Sequence, residues 1–510
     1  MTKSTLVKKV LKGHKKQLKL SQKLAKLGYN TTLGKALRLK AYYSDALILL
    51  KAWKDFLVIR KKHIGNQYFA VDHAIMNTDH ARVKTLMNTE PQLRGNDLGI
   101  IRILAPSYLL NHPLSLGTNG AAHTGLRAVF QQALPDPFEE VTQLSQYVEQ
   151  FLQTATQKGT LHVGNDLPDF MLKTLHQTVF QFSPLKEELS GSRAYIKGLP
   201  LASLPNFISQ YLLWFKTGPC IRHRKRMVRL YQSATNWPQY MDAAADYDLP
   251  PESIANGLFD MIHIAGTAGT SALMGSVIGV LCSGKVSASE ANQKAEKIID
   301  DELREKAIAE INTIWANKTQ LDAEALHQAT TLHKVILETA RLYPPVRFVS
   351  QLTQSEGTVE IGTAETGISK CPFQQGTRLL GSIFTANRDE DRYEKPDDFS
   401  IDRDFSDLLS WNGDGHERVC PGRSLSIELV KIFCLHLFKH YQWEAPAEVK
   451  WDFEKVTAVT PNDLVLQGFS GKVNEQEDIQ EEKNTQEEAS LSAQPVRSHT
   501  RSKCLSQLSK

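Results

Sequence analysis

Apolar residues recur at three- and four-residue steps from about residue 65 to 345, the period of amphipathic helices, and predict a mainly helical body. Within it, PPESIANGLFDMIHIAGTAGTSALMGSVIGVL, residues 250–281, is apolar on most sides and opens on Pro-Pro-Glu-Ser. That pattern predicts one long helix buried all round. Alternating strand signals come late, in FVSQLT, TVEIG and TRLLGSIFTA, then in KVTAVT and DLVLQG around a Pro-Asn turn. The expected fold class is mainly α with small β-sheets grouped toward the C-terminal half.

The two ends break this pattern. Leucines at helical spacing with lysines opposite them run through LVKKVLKGHKKQLKLSQKLAKLGY. The first 62 residues hold 17 Lys and Arg against Asp45 and Asp55, whereas the whole chain nets only +4, so the rest is acidic. Residues 1–64 are expected to form a basic amphipathic N-terminal arm. It suits a solvated helix packed on the body, a peripheral contact with an anionic membrane surface, or a targeting peptide, although such peptides favour Arg and Ser over Lys. Nucleic acid is not an expected partner, because no aromatic platform or base-reading motif accompanies the lysines. Beyond residue 472 large apolar side chains almost vanish, and residues 473–510 read as a disordered acidic-to-basic tail. In composition this tail resembles the exported C-terminal tails of some bacterial type IV secretion substrates. Residues 65–472 are left as the folded domain.

Composition narrows the class. At 41% hydrophobic and 23% charged residues, the bulk of the 510 residues is neither disordered nor fibrous. Six cysteines, Cys220, Cys282, Cys371, Cys420, Cys434 and Cys504, show no CxxC pair, which argues against a disulfide framework or structural zinc and favours a reducing compartment. No run of eighteen uninterrupted apolar residues occurs, so the expected location is cytoplasmic or peripheral to a membrane surface.

Three constellations carry candidate chemistry. In SWNGDGHERVCPGRSLSIELVKIF, Cys420 follows a glycine-rich, arginine-bearing loop and precedes an amphipathic helix, with Pro421 suited to the first helical position and Gly422 allowing close backbone approach. A sulfur at the positive end of a helix, with Arg418 beside it, is biased toward the anion that binds metals; the alternative is an inert buried cysteine. LETARLYPPVRF places Glu338 and Arg341 on one face of a helix that Pro344 and Pro345 must end, which alone is an ordinary ion pair. ANRDEDRYEKPDDFSIDRDF alone is a polar surface loop.

Together and in this order, Glu-x-x-Arg, Pro-x-x-Phe-x-x-x-Arg and Arg-x-Cys-x-Gly resemble the signature set of the cytochrome P-450 superfamily, over roughly residues 65–470. The resemblance implies a P-450-like fold with a long central helix over haem b, and Cys420 as the thiolate ligand of the haem iron. It implies a buried structural triad of Glu338, Arg341 and Arg403. Two haem propionates call for cationic partners, for which His123, Arg127, Arg347 and Arg418 are candidates, His123 and Arg127 standing one helical turn apart. Gly422 and Trp411 complete the cofactor-binding set. The partners implied are an apolar small-molecule substrate and a separate redox partner, since no flavin-type glycine loop signals a fused flavin domain.

Departures from the family pattern alter the expected chemistry. The usual loop has an aromatic residue seven positions before the cysteine and a glycine four before; here those positions hold Gly413 and His416, with Trp411 and Gly415 displaced. A loop lengthened by one or two residues, keeping its aromatic lid, is expected, and it is similar to that of the allene oxide synthase and hydroperoxide lyase branch. In the long helix the family's Ala-Gly-x-acid-Thr relay is replaced by Ala265-Gly266-Thr267-Ala268-Gly269-Thr270, with Ala268 at the acid position and Gly269 at the alcohol position. Thr267 or Thr270 can replace the relay hydroxyl if the helix bulges locally. Three functions stay open: a monooxygenase that hydroxylates or epoxidises a lipid or terpenoid, a peroxygenase or fatty-acid hydroperoxide isomerase or lyase that needs no reductase, and a haem-binding sensor or pseudoenzyme.

Overall fold

The structure, a computed structural model, describes residues 67–69, 74–77, 79–87, 118–202, 214–283, 285–287, 295–297, 299–316, 318–353, 355–361, 369–373, 378–414, 417–444, 446, 449–452, 460–462 and 464–472. The basic arm, the acidic-to-basic tail, Gly415 and His416 lie outside them.

Helices build the body. In chain order they are α1 (His80–Met87), α2 (Gly120–Ala133), α3 (Val141–Lys158), α4 (Val163–Phe180), α5 (Lys186–Ala202), α6 (Trp214–Gln232), α7 (Trp237–Ala243) and α8 (Pro251–Asp260). A π-helical segment, Met261–Thr270, then leads into α9 (Ser271–Ser283). After it come α10 (Asp301–Ala316), α11 (Ala323–Gln328), α12 (Thr330–Leu342), the short α13 (Ile383–Ala386) and α14 (Arg423–His440). Pro251 stands in the first turn of α8, where a missing N–H costs nothing, as the opening Pro-Pro predicts. The α8–π–α9 run has the length and apolarity of a membrane span, yet 72% of its most apolar window is buried inside the protein, as a central core helix requires. It packs against α4, α12 and α14, whose Leu172, Leu175, Val335, Leu429 and Phe433 are buried with Ile262, Val277 and Ile278 in one core.

The sheets are small and peripheral. β1 (Gln67–Phe69), β2 (Ala74–Asn77), β9 (Arg378–Ser382) and β6 (Phe348–Leu352) form one sheet in that order, β2 pairing parallel with β9 and the other pairs antiparallel. β10 (Tyr441–Glu444), β13 (Val465–Gly471) and β3 (Thr160–His162) form a second. A third orders β12 (Thr460–Asn462), β11 (Val449–Asp452), β4 (Lys285–Ser287) and β5 (Ala295–Lys297), and β7 (Gly357–Ile361) pairs with β8 (Ser369–Phe373).

Three sequence expectations shift. Strands β1 to β5 fall in the stretch read as helical, because each is only three or four residues long; β2, β3 and β4 pair with distant strands, and β1 and β5 extend the sheets as neighbours of β2 and β4. The strand expected through TRLLGSIFTA stops at Ser382, whose hydroxyl accepts the Thr385 amide and caps α13. Pro461 and Asn462, read as a turn, lie within β12 opposite Trp451 and Lys450.

Candidate functional site

The cysteine loop is built on an unusual backbone. Trp411, Asn412 and Gly413 take φ values of 58°, 69° and 73° in succession. Asparagine and glycine tolerate the left-handed region, but a tryptophan there costs roughly 1–2 kcal/mol and persists only where surroundings fix it. Here they do. The Trp411 indole N–H donates to Ser426 Oγ at 2.9 Å, its carbonyl accepts the Cys420 N–H at 2.8 Å, and Asn412 Nδ2 donates to the Arg418 carbonyl at 2.8 Å. Arg423 pairs with Asp414 and sits over the Trp411 ring, 5.8 Å from its centroid. The aromatic residue displaced in sequence is thus tied to the cysteine in space.

α14 begins at Arg423 with Gly422 as N-cap, two residues later than Pro421 suggested, so Cys420 stands in the turn ahead of the helix. Its thiol is half-buried. Burial pushes the thiol pKa up, against the pull of the Gly422 N–H, Arg127 and Arg423. Burial thus opposes the anion expected at this helix end, whereas the Gly422 N–H and the two guanidinium groups favour it.

Two of the candidate cations, Arg127 and Arg418, are tied to the cysteine loop. Arg127, half-buried on α2, donates through Nη1 to the Val419 carbonyl. Arg418 Nη2 donates to the Thr118 carbonyl at 3.0 Å and to Asn119 Oδ1, so the segment before α2 and the cysteine loop are joined. His123 is buried one turn before Arg127 on α2. Arg347 is buried at the start of β6, its guanidinium 5.0 Å from the Phe384 ring centroid.

On the long helix, Thr267 and Thr270 are buried whereas Ala265 and Ala268 are accessible within an otherwise buried element. A Cβ added at Gly269 would meet nothing within 4 Å. The Thr267 hydroxyl has no hydrogen-bond partner among the described residues. A sulfur with an amide donor, guanidinium groups at its loop and an open small-residue face on the core helix have the chemistry to suit a planar apolar group that carries a metal and carboxylates.

The charged triad closes by geometry. Arg341 donates to both Glu338 oxygens, at 2.7 and 2.8 Å, and Arg403 Nε donates to Glu338 Oε1 at 3.1 Å. Glu338 and Arg341 are wholly buried. The three residues are pinned to the preceding segment by carbonyls: Arg341 binds those of Asn387, Pro396 and Asp398, and Arg403 those of Glu394, Lys395 and Asp398. The ordinary exposed-pair reading is excluded.

The comparisons with known proteins agree with this geometry. The Cytochrome P450 family model matches residues 298–467, the span holding Glu338, Arg341, Arg403, Trp411 and Cys420. Over that third of its length the chain resembles the cytochrome P450 family. Among its curated relatives, cytochrome P450 71D178 of Origanum vulgare is 27% identical over 202 residues, 38% of this chain and 36% of its own length. The (+)-vincadifformine 19-hydroxylase of Catharanthus roseus is 25% identical over 162 residues, 30% of either chain. The match therefore spans about a third of these relatives' length. Solved structures cover more: retinoic acid-bound cyanobacterial CYP120A1 superposes with a TM-score of 0.61 at 16% identity, over 82% of this chain and 94% of that one. P450BioI in complex with hexadec-9Z-enoic acid-ligated acyl carrier protein gives 0.59 at 17%, over 82% and 98%. These likenesses show a P450-like fold over far more of the chain than the family-model match.

Sequence reasoning missed Ser426, Asn119 and Arg423 around the cysteine loop. Asn119 has no motif spacing to reveal it, but Ser426 and Arg423 stand in the first turn of a predicted helix beside a singled-out cysteine, the place where loop partners are to be sought.

Proposed function

We propose that this protein is a cytochrome P450-type haem-thiolate monooxygenase that hydroxylates or epoxidises an apolar small molecule such as a lipid or terpenoid, with Cys420 as the iron ligand. The observation that carries this reading is the half-buried Cys420 sulfur, held by the Gly422 amide with Arg127 nearby, in the turn just ahead of α14. Arg418, Arg127, His123 and Arg347 are assigned to the propionates, and Gly422 and Trp411 to the close approach and lid of the thiolate loop. Glu338, Arg341 and Arg403 brace the segment that leads to it. The haem supplies one-electron and dioxygen chemistry when bound. In balance, one oxygen atom enters the substrate and the other leaves as water, with two electrons from a separate reductase and two protons. Thr267 or Thr270 would hold a proton or water at the site, with Ala268 and Gly269 forming the small-residue face beside them. A membrane-facing role of the basic arm 1–64 belongs to the same reading.

A second reading is favoured by one observation: Ala268, at the position of the family's acid, is an accessible face of the π segment and carries no ionisable group. A peroxygenase, or an isomerase or lyase of fatty-acid hydroperoxides, receives its O–O bond already reduced and needs no acid relay.

The test is a reduced carbon monoxide difference spectrum of the purified protein beside Cys420→Ser, followed by turnover with dioxygen plus reductase, with hydrogen peroxide, and with a fatty-acid hydroperoxide. The thiolate-type Soret shift is expected in the first and absent from the second. A wild-type protein without that shift overturns the assignment, and inactivity in all three assays points to a haem-binding sensor.

A further inference from the structure

The helical run through the core changes register twice, at Asp260 and again at Ser271. π turns are rare and mostly single, so a segment from Met261 to Thr270 needs support beyond local propensity. At each junction a side chain donates to the carbonyl one α-turn behind it. His263 Nδ1 binds the Phe259 carbonyl at 3.1 Å, and Ser271 Oγ binds that of Thr267 at 2.6 Å. Such back-bonding competes with the regular amide ladder and favours bent or irregular helix.

His263 can do this in only one neutral tautomer. Its ring is wholly buried and stacked on Phe259 with centroids 3.8 Å apart. To donate to a carbonyl, Nδ1 must carry the proton, which leaves Nε2 as the acceptor. Ser192 Oγ lies 2.8 Å from that Nε2 and is its donor; the same hydroxyl then accepts from His223 Nε2 at 3.0 Å. Donors therefore run in one direction, from His223 on α6 through Ser192 on α5 and His263 to the Phe259 carbonyl. Beside this chain, Arg224 donates to Asp260, the last residue before the π segment, at 2.8 Å, to Asn256 at 2.9 Å and to the Tyr195 hydroxyl at 2.8 Å.

We propose that Ser192 is a positioning residue for the π-helical segment: by donating to His263 Nε2 it selects the tautomer that caps the Phe259 carbonyl. With the Arg224–Asp260 pair, it holds the register that leaves Ala265, Ala268 and Gly269 accessible. The use of that face rests on the haem-thiolate reading, whereas the register does not.

Amide hydrogen exchange of the full-length protein as isolated tests this. In Ser192→Ala and in His263→Phe, which keeps the stacking ring, amides of residues 261–270 should exchange about tenfold faster or more, as expected for loss of one buried hydrogen bond. Those of α14 should stay unchanged. Ser192→Thr, which keeps the hydroxyl, should restore wild-type protection; if Ser192→Ala does not fold, Ser192→Cys, a weak donor of similar size, carries the same expectation. Unchanged exchange at 261–270 in both variants overturns the proposal, and so does equal acceleration in α14, which marks global loosening. Failure of the haem reading shows separately, as a wild-type absorption spectrum without haem, and leaves this measurement interpretable.

Discussion

The Cys420 backbone N–H donates to the Trp411 carbonyl at 2.8 Å, while the Trp411 indole N–H donates to Ser426 Oγ at 2.9 Å. The cysteine is thus located by a residue in a strained conformation that is itself anchored to the first turn of α14. Trp411→Phe keeps the ring under Arg423 but deletes the indole donor. It should cost about 1 kcal/mol of stability, the net worth of one hydrogen bond. Trp411→Ala removes ring and donor together and should cost more, with weaker haem retention on the proposed reading. Urea unfolding midpoints of the two variants, read beside their haem content, check the order.

The Glu338 carboxylate is the only acidic side chain that Arg341 and Arg403 share among the described ion pairs. Glu338→Ala leaves the Arg341 guanidinium buried without its anion, a loss of about 3–5 kcal/mol. That rivals the whole stability of an ordinary domain, about 5–15 kcal/mol, so the variant should be recovered mainly as insoluble protein. Arg403→Ala should cost less, because Arg403 is partly exposed and Arg341 still neutralises the carboxylate. Soluble yield and denaturant midpoint distinguish the two.

The pairing of Glu338 with Arg341 is legible from a three-residue helical spacing, and the cysteine loop from its order of Arg, Cys and Gly. Arg403 joins the triad only because the intervening sheet and loop fold back on α12, and no periodicity records that return. β1 and β2 were illegible for a related reason: strands of three and four residues show too little alternation, and β2 finds its partner in β9 across most of the chain. The π register has no propensity signature. A local bulge entered only as the condition for Thr267 or Thr270 to replace the relay hydroxyl, and Ser192, His223 and His263, which stand around its first turn, are far apart in sequence and carry no shared motif. Local chemistry was readable, and long-range closure was not.

Acid should destabilise the protein well before its carboxylates are neutralised. Burial lowers His176 and His223 from the ordinary 6.5 to about 4 and His436 to about 3. These rings are neutral in the fold, so below pH 6.5 the unfolded chain binds protons that the native state refuses. Stability present above that pH is lost as pH falls toward 4, at about 1.4 kcal/mol per unit for a fully buried ring such as His176. Among the described residues His436 has no hydrogen-bond partner at either ring nitrogen, although Glu149 lies 3.5 Å from Nδ1. His436→Leu should therefore be neutral or stabilising near pH 7 by about 1 kcal/mol and should flatten the acid limb. Denaturant unfolding between pH 4 and 8 measures both effects, and a variant curve parallel to wild type would exclude His436 as a contributor.

Two glycines of the π segment should respond oppositely to a methyl group. A Cβ at Gly266 would lie 2.6 Å from Leu175 Cδ1 and 3.0 Å from the Met261 carbonyl oxygen, which is backbone and cannot swing aside. Gly266→Ala should cost about 1–3 kcal/mol through overpacking. At Gly269 the methyl meets open space, so Gly269→Ala should be neutral or gain up to about 1 kcal/mol from reduced backbone freedom in the unfolded chain. The methyl nevertheless stands on the half-buried face beside Ala268, so on the haem-thiolate reading Gly269→Ala should weaken carbon monoxide or azole binding while leaving the melting temperature unchanged or raised. Thermal unfolding paired with ligand titration separates the two effects. If Gly269→Ala binds ligands as the wild type does, that face is not the one turned toward the iron.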